Sequence, residues 1–136
     1  MKFDILTLFP DMVMGVLNES IIGRAQDAGH IEIHAHNIRD FSTNKHRKTD
    51  DTPYGGGMGM LMTCQPIFDC FADLKSKISK DSKTRVIYMS PKGKKLTQQR
   101  ALELSKSDIL ILKDGIFPHQ RYEADDVLPA VAVHLT

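Results

Sequence analysis

Three short runs are rich in large apolar residues: KFDILTLF at 2–9, TRVIYMS at 84–90 and DILILK at 108–113. A strand with one wet face alternates apolar and polar side chains, whereas a strand covered on both faces reads as a continuous apolar run. Between these runs lie segments whose apolar residues recur every three or four positions, the spacing of a helix with one buried stripe. Strands alternating with helices predict an α/β fold, a parallel sheet flanked by helices. In such sheets ligands bind beyond the carboxyl ends of the strands. That rule directs attention to MSPKG at 89–93 and KDG at 113–115.

The pattern divides the chain further. Residues 2–8 are predicted as a strand, and Pro10 opens a helix over 10–20, because proline lacks only an N–H that the first helical turn leaves unpaired anyway. A second, short helix spans 21–28 and is stopped by Gly29. HIEIHAHNI at 30–38 alternates, with Ile31 and Ile33 on one face and Glu32, His34 and His36 on the other, as in a half-buried strand. Residues 41–63 are polar, glycine-rich and without period, and read as a long loop. Ile67, Phe71, Leu74 and Ile78 form one stripe of a helix over 65–80, and Thr97 is placed to cap a helix over 97–107.

The balance of residues bounds the function classes. At 136 residues, 41% hydrophobic and with a net charge of +1, the chain fits one ordinary globular domain without a gross polyanion-binding surface. Its basic residues cluster locally, in NKHRK at 44–48 and PKGKK at 91–95. No apolar run approaches the roughly 18 residues of a membrane span, and Asp4 interrupts what would be a signal's apolar core. The expectation is a soluble, cytoplasmic protein with no membrane partner. Cys64 and Cys70 lack the spacing of a redox or metal pair and are expected to pack.

The stretch DDTPYGGGMGMLMTCQP at 50–66 carries four glycines within five positions. It is not a Walker loop, because Met60 and Leu61 follow Gly59 where a lysine and a hydroxyl residue are needed. Nor is it a dinucleotide fingerprint, whose third glycine is missing. Loops this long are functional or disordered more often than idle. His34 and His36 could be two metal ligands, but zinc wants three or four; Met58, Met60 and Met62 fit adaptable packing better than a soft-metal site.

Several motifs in order, LTLFPDM, GRAQDAGHIEIHAHNIRDFS, HRKTDDTPYGGGMGMLM, QPI, VIYMSPKGKKLTQ and LILKDG, resemble the N-terminal half of bacterial tRNA (guanine-N1)-methyltransferases over residues 3–115. The resemblance implies a SPOUT-class methyltransferase domain with a trefoil knot, a homodimer, and transfer of a methyl from S-adenosylmethionine to N1 of the guanosine immediately 3′ of the anticodon in tRNA. It further implies that the strand-end loop Tyr88, Met89, Ser90 and Pro91, with Gly115, lies against the cofactor. The glycine stretch becomes a mobile loop near the target base. RNA loops are recognised by stacking, base-edge hydrogen bonds and cationic contacts, which His46, Arg47, Asp50, Tyr54 and the backbone of Gly55, Gly56, Gly57 and Gly59 could supply on the substrate side. Met58 stands where the family usually has proline.

The resemblance stops after KDG. IFPHQRYEADDVLPAVAVHLT at 116–136 replaces the family's knot-threading segment, so the expected domain is truncated before the knot, with residues 1–115 as its N-terminal part and 116–136 as a divergent tail. No catalytic residue is assigned. Three readings stay open at this point: a methyltransferase relative, a non-catalytic RNA-binding or dimerising module that associates with an intact subunit, and an unrelated nucleotide-binding α/β protein.

Overall fold

The computed structural model describes residues 1–89, 93 and 95–113. Its centre is β1 (Lys2–Thr7), which pairs in parallel with β2 (Glu32–Asn37) on one side and with β6 (Ile109–Lys113) on the other. The strand β5 (Thr84–Tyr88) closes the far edge, again parallel, giving the order β2-β1-β6-β5. From β1 the chain passes through α1 (Pro10–Leu17) and α2 (Ser20–Asp27) to β2. A 3-10 turn (Ile38–Phe41), a small ribbon of β3 (Asp50–Asp51) and β4 (Leu61–Met62), and α3 (Cys64–Lys77) lead to β5; α4 (Gln98–Leu104) returns to β6. The order of strands therefore reverses between β1 and β6, and Thr7, Asn37, Tyr88 and Lys113 all end at one edge of the sheet. A reversal of this kind opens a crevice at the carboxyl ends.

Alternate residues of β1, β5 and β6 feed two different cores, which is why these strands are rich in apolar residues, whereas β2 feeds neither. Leu6 and Ile111, 2% and 1% exposed, pack with Ile67, Cys70, Phe71 and Leu74 of α3. Ile87 and Leu110 pack instead with Leu104 of α4, backed by Phe3 and Leu112. Each such side chain contributes about 1.5–3 kcal/mol by leaving water. The expected parallel sheet is thus present, with α3 and α4 supplying buried residues to separate apolar clusters.

The helix boundaries have local causes. Gly29 has φ +72°, and the bonds from His30 N–H to the Ala25 carbonyl (3.0 Å) and from Gly29 N–H to the Gln26 carbonyl (2.9 Å) end α2 as the sequence predicts. Thr97 Oγ1 accepts from the Arg100 N–H at 3.3 Å, the expected cap of α4. The first helix is shorter than predicted, ending at Leu17. Gly23 explains the corner that follows: it is buried, and a Cβ there would lie 2.2 Å from the Asn18 carbonyl oxygen. The helix α3 also stops early, with Ile78 in extended backbone but still packed on the core.

One expectation is corrected. Residues 41–63 are not without structure, because Asp50 pairs with Met62 and Asp51 with Leu61 in an antiparallel ribbon. The missing period misled because two-residue strands are too short to show one.

Candidate functional site

Two groups of residues meet the end of the sheet where the strands finish. The first is the end of β5. Tyr88 is opposite Lys113 in the register and is 41% exposed, while Met89 continues the ladder through its N–H to the Lys113 carbonyl (3.1 Å) and is 54% exposed. An aromatic ring and a thioether are therefore displayed to solvent from backbone that is itself held by β6. Lys113 is buried at 4% exposure, between strands β1 and β5. Ser90, Pro91 and Gly115 lie outside the described residues, as does the tail 116–136.

The second group is the loop that leaves β2 and returns into α3. Its base is fixed. Met62 joins the same buried cluster as Leu6 and Leu8, and Thr49, 1% exposed, receives both the N–H and the hydroxyl of Thr63 on its carbonyl at 2.8 and 3.1 Å. Gln65 of α3 donates to the Phe41 carbonyl at 2.7 Å and accepts from Thr43. Within this frame Asn44–Lys48 makes a tight turn. The His46 N–H donates to Asn44 Oδ1 at 2.8 Å, and Arg47 adopts a left-handed φ of +53° with its guanidinium on the Asp40 carboxylate. Lys45, His46, Arg47 and Lys48 are all exposed.

The tip of the loop contrasts with its base. Tyr54 and Met58 are 99% and 102% exposed, and Gly55, Gly56, Gly57 and Gly59 all have positive φ, from +78° to +138°. A Cβ at Gly55, Gly56 or Gly57 would meet nothing within 4 Å. Glycine is required there by backbone conformation and not by crowding. Arg47 is thus tied to Asp40 just after the carboxyl end of β2 and Asp50 is held in the ribbon, while Tyr54 and the glycines form the exposed tip beyond it.

A buried charge cluster that the sequence did not signal sits on the neighbouring strands. Asp4 of β1 is 0% exposed, with His36 Nε2 at 2.9 Å and Lys2 Nζ at 3.5 Å. Burial pushes the Asp4 carboxyl up, but the His36 hydrogen bond and the Lys2 and His36 charges outweigh it and hold the carboxyl below its ordinary range. His34 lies against Glu32, and among the described residues no group of three or more His, Cys, Asp or Glu side chains is placed to hold a metal ion. The register that sets Asp4 opposite His34 and beside His36 is a property of the pairing, invisible in one strand alone. Of the cysteines, Cys70 packs as expected, its thiol pushed up to about 12 by burial and by the Asp73 and Asp40 charges. Cys64 does not: it is exposed at the start of α3.

The family profile described as tRNA (Guanine-1)-methyltransferase TrmD matches residues 1–127. The chain is 54% identical over 115 residues to the tRNA (guanine-N(1)-)-methyltransferase of Ruminiclostridium cellulolyticum, a match covering 85% of this chain and 48% of that protein. The protein of the same description from Clostridium novyi is 55% identical over 115 residues, covering 85% and 46%. Among solved structures, the tRNA (m1G37) methyltransferase from Aquifex aeolicus is similar with a TM-score of 0.71 at 27% identity, covering 83% of this chain and 50% of that one. The chain spans about half the length of the relatives it matches.

Proposed function

This chain belongs to the tRNA (guanine-N1)-methyltransferase family, and from that premise we propose that it takes part in methyl transfer from S-adenosylmethionine to N1 of the guanosine immediately 3′ of the anticodon. The observation that carries the reading is that a ribbon-based arm with a fully exposed aromatic tip and an exposed Tyr88–Met89 strand end both leave the sheet on its carboxyl side, from β2 and β5.

The residues present suit the methyl donor. When bound, S-adenosylmethionine supplies an electrophilic methyl group on a sulfonium. Tyr88 and Met89 offer flat and polarizable apolar surface for an adenine ring, on backbone fixed by β6. Ser90, Pro91 and Gly115 complete that side in this reading. On the substrate side, Tyr54 stacks on an unstacked base, which aromatic side chains do regardless of sequence. His46, Arg47 and Lys45 meet phosphate or a base edge, Asp50 anchors the arm in its ribbon, and Gly55, Gly56, Gly57 and Gly59 let the tip fold over the base. Neutral guanine N1 is a weak nucleophile, so proton removal must accompany attack. The residues named here serve binding and orientation, which reduce the barrier by aligning donor and acceptor.

In the same reading the protein works in the cytoplasm, where tRNA is modified, and as a homodimer or in association with an intact subunit. Among the described residues no helix is long and apolar enough to cross a membrane. Met12, Val16 and Ile21 on α1 and α2 are 57%, 71% and 70% exposed, an apolar surface that favours association.

Calorimetric titration with S-adenosylmethionine, followed by a methyl-transfer assay on tRNA with and without the target guanosine, tests the proposal. Binding together with transfer confined to the guanosine-bearing tRNA is expected. A folded chain that binds tRNA but neither binds the methyl donor nor transfers a methyl would instead be a non-catalytic module.

A further inference from the structure

At the opposite end of the sheet the structure holds a groove that the methyl-transfer reading does not use. Lys83, Thr84 and Arg85 line it from the start of β5, and Glu103, Lys106 and Ser107 from the end of α4 and the turn into β6. Three cations face one carboxylate, a local balance of +2 (three positive charges less one negative) in a chain whose total is only +1. Elsewhere on the surface this chain pairs Lys77 with Asp73 and Arg47 with Asp40. Among the described residues, no ion pair engages Lys83, Arg85 or Lys106. The nearest spare carboxylate in sequence, Asp108, accepts the Lys83 backbone N–H at 2.8 Å on Oδ2. Ser107 lines the same groove at 7% exposure. The cations are thus gathered around a concave surface without being neutralised there.

We infer that this groove is a second contact for the phosphate backbone of the RNA, separate from the base site; the inference rests on the reading of RNA as the ligand. β5 runs from Thr84 to Tyr88, about 13 Å at the usual rise per residue. An RNA stem whose target base is held at the carboxyl end is long enough to pass the amino end too. Phosphate contacts of this kind position the ligand without reading sequence. The bland alternative is that these are solvated side chains, in which case they would add nothing to the salt dependence of binding.

The test uses the full chain and two fluorescent RNAs, an anticodon stem-loop and a stem-loop of the same length with scrambled sequence. Kd is measured by anisotropy across a salt series for the wild type, for the double variant Lys83→Gln/Lys106→Gln, and for Lys83→Arg/Lys106→Arg. Both lysines are exposed and outside strands and helices, so neither change should disturb folding. The slope of log K against log salt is expected to become shallower by about two for both RNAs, about one per lysine, and to be restored by arginine. An unchanged slope overturns the inference, as does failure of the wild type to bind either RNA. Displacement of RNA by dilute inorganic phosphate at constant ionic strength would also overturn it, by making the free anion the ligand. Methyl transfer and S-adenosylmethionine binding are read in parallel. Transfer with an unchanged slope removes the groove and leaves the proposed function standing, whereas a shallower slope without transfer does the reverse.

Discussion

The centre of the sheet and the tip of the glycine arm are built on opposite principles. In β1 and β6 the side chains are chosen by burial: Leu6, Asp4, Thr7 and Ile111 are each at most 2% exposed. At the tip the residues are chosen by backbone: four glycines hold positive φ while Tyr54 and Met58 stand entirely in water. An aromatic ring held out with no contact contributes nothing to folding. The separation teaches that stability and ligand recognition fall on different residues here, so substitutions should divide cleanly between them.

The largest effect is expected where α3 covers the sheet. Phe71→Ala removes a ring that is 6% exposed and leaves a cavity beside Leu6 and Ile111. A loss of about 4 kcal/mol is expected in urea unfolding, with the tip unaffected. Gly23→Ala follows. Its new Cβ would collide with the Asn18 carbonyl oxygen at 2.2 Å and its carbon at 2.8 Å, both backbone atoms that cannot swing away. The α1–α2 corner has to open, and about 2–3 kcal/mol is expected; a Tm equal to the wild type would show that the corner is loosely held.

A smaller effect with a pH signature comes from Asp4. Its folded carboxyl titrates below the ordinary 3.8 because His36 and Lys2 stabilise the charged form against burial. Its contribution is therefore fully present above pH about 4 and is lost as pH falls through the lower folded value. Asp4→Asn should cost about 2 kcal/mol at pH 7. The gap between variant and wild type should narrow in more acidic solution. A gap that stays constant down to the acid transition would mean that the cluster is held by shape and not by charge.

How much of this was legible in the sequence follows from the same contrast. Burial on both faces leaves an apolar-rich run, so the parallel sheet could be read from KFDILTLF, TRVIYMS and DILILK, and α3 from the three-and-four spacing of Ile67, Phe71, Leu74 and Ile78. Local caps such as Gly29 and Thr97 were legible because their partners lie within a few residues. The ribbon at Asp50–Asp51 and Leu61–Met62 was not, being too short for any period. Neither was the Asp4–His36 contact, which joins residues 32 apart through strand register. Tyr54 and the glycines were singled out because they fit no regular element, and that misfit is what their exposure and positive φ express. The cationic groove joins the start of β5 to the turn before β6, and no linear pattern announces it.

The smallest expected effect on stability is also the sharpest test of the comparison. Tyr54 is 99% exposed and its ring has no contact to lose, so Tyr54→Ala should change urea unfolding by less than about 0.5 kcal/mol. If the tip stacks on an unstacked base, the same substitution should weaken RNA binding by about tenfold or more, since one base–aromatic stack is worth about 1–3 kcal/mol. Tyr54→Phe keeps the ring and should retain the affinity, which separates stacking from a hydroxyl hydrogen bond. The salt slope should not move, because no charge is removed, and this distinguishes the tip from the lysines at the other end of the sheet. An unchanged affinity in Tyr54→Ala would mean that the exposed ring is idle, and the arm's role in recognition would then rest on His46, Arg47 and the backbone of its glycines.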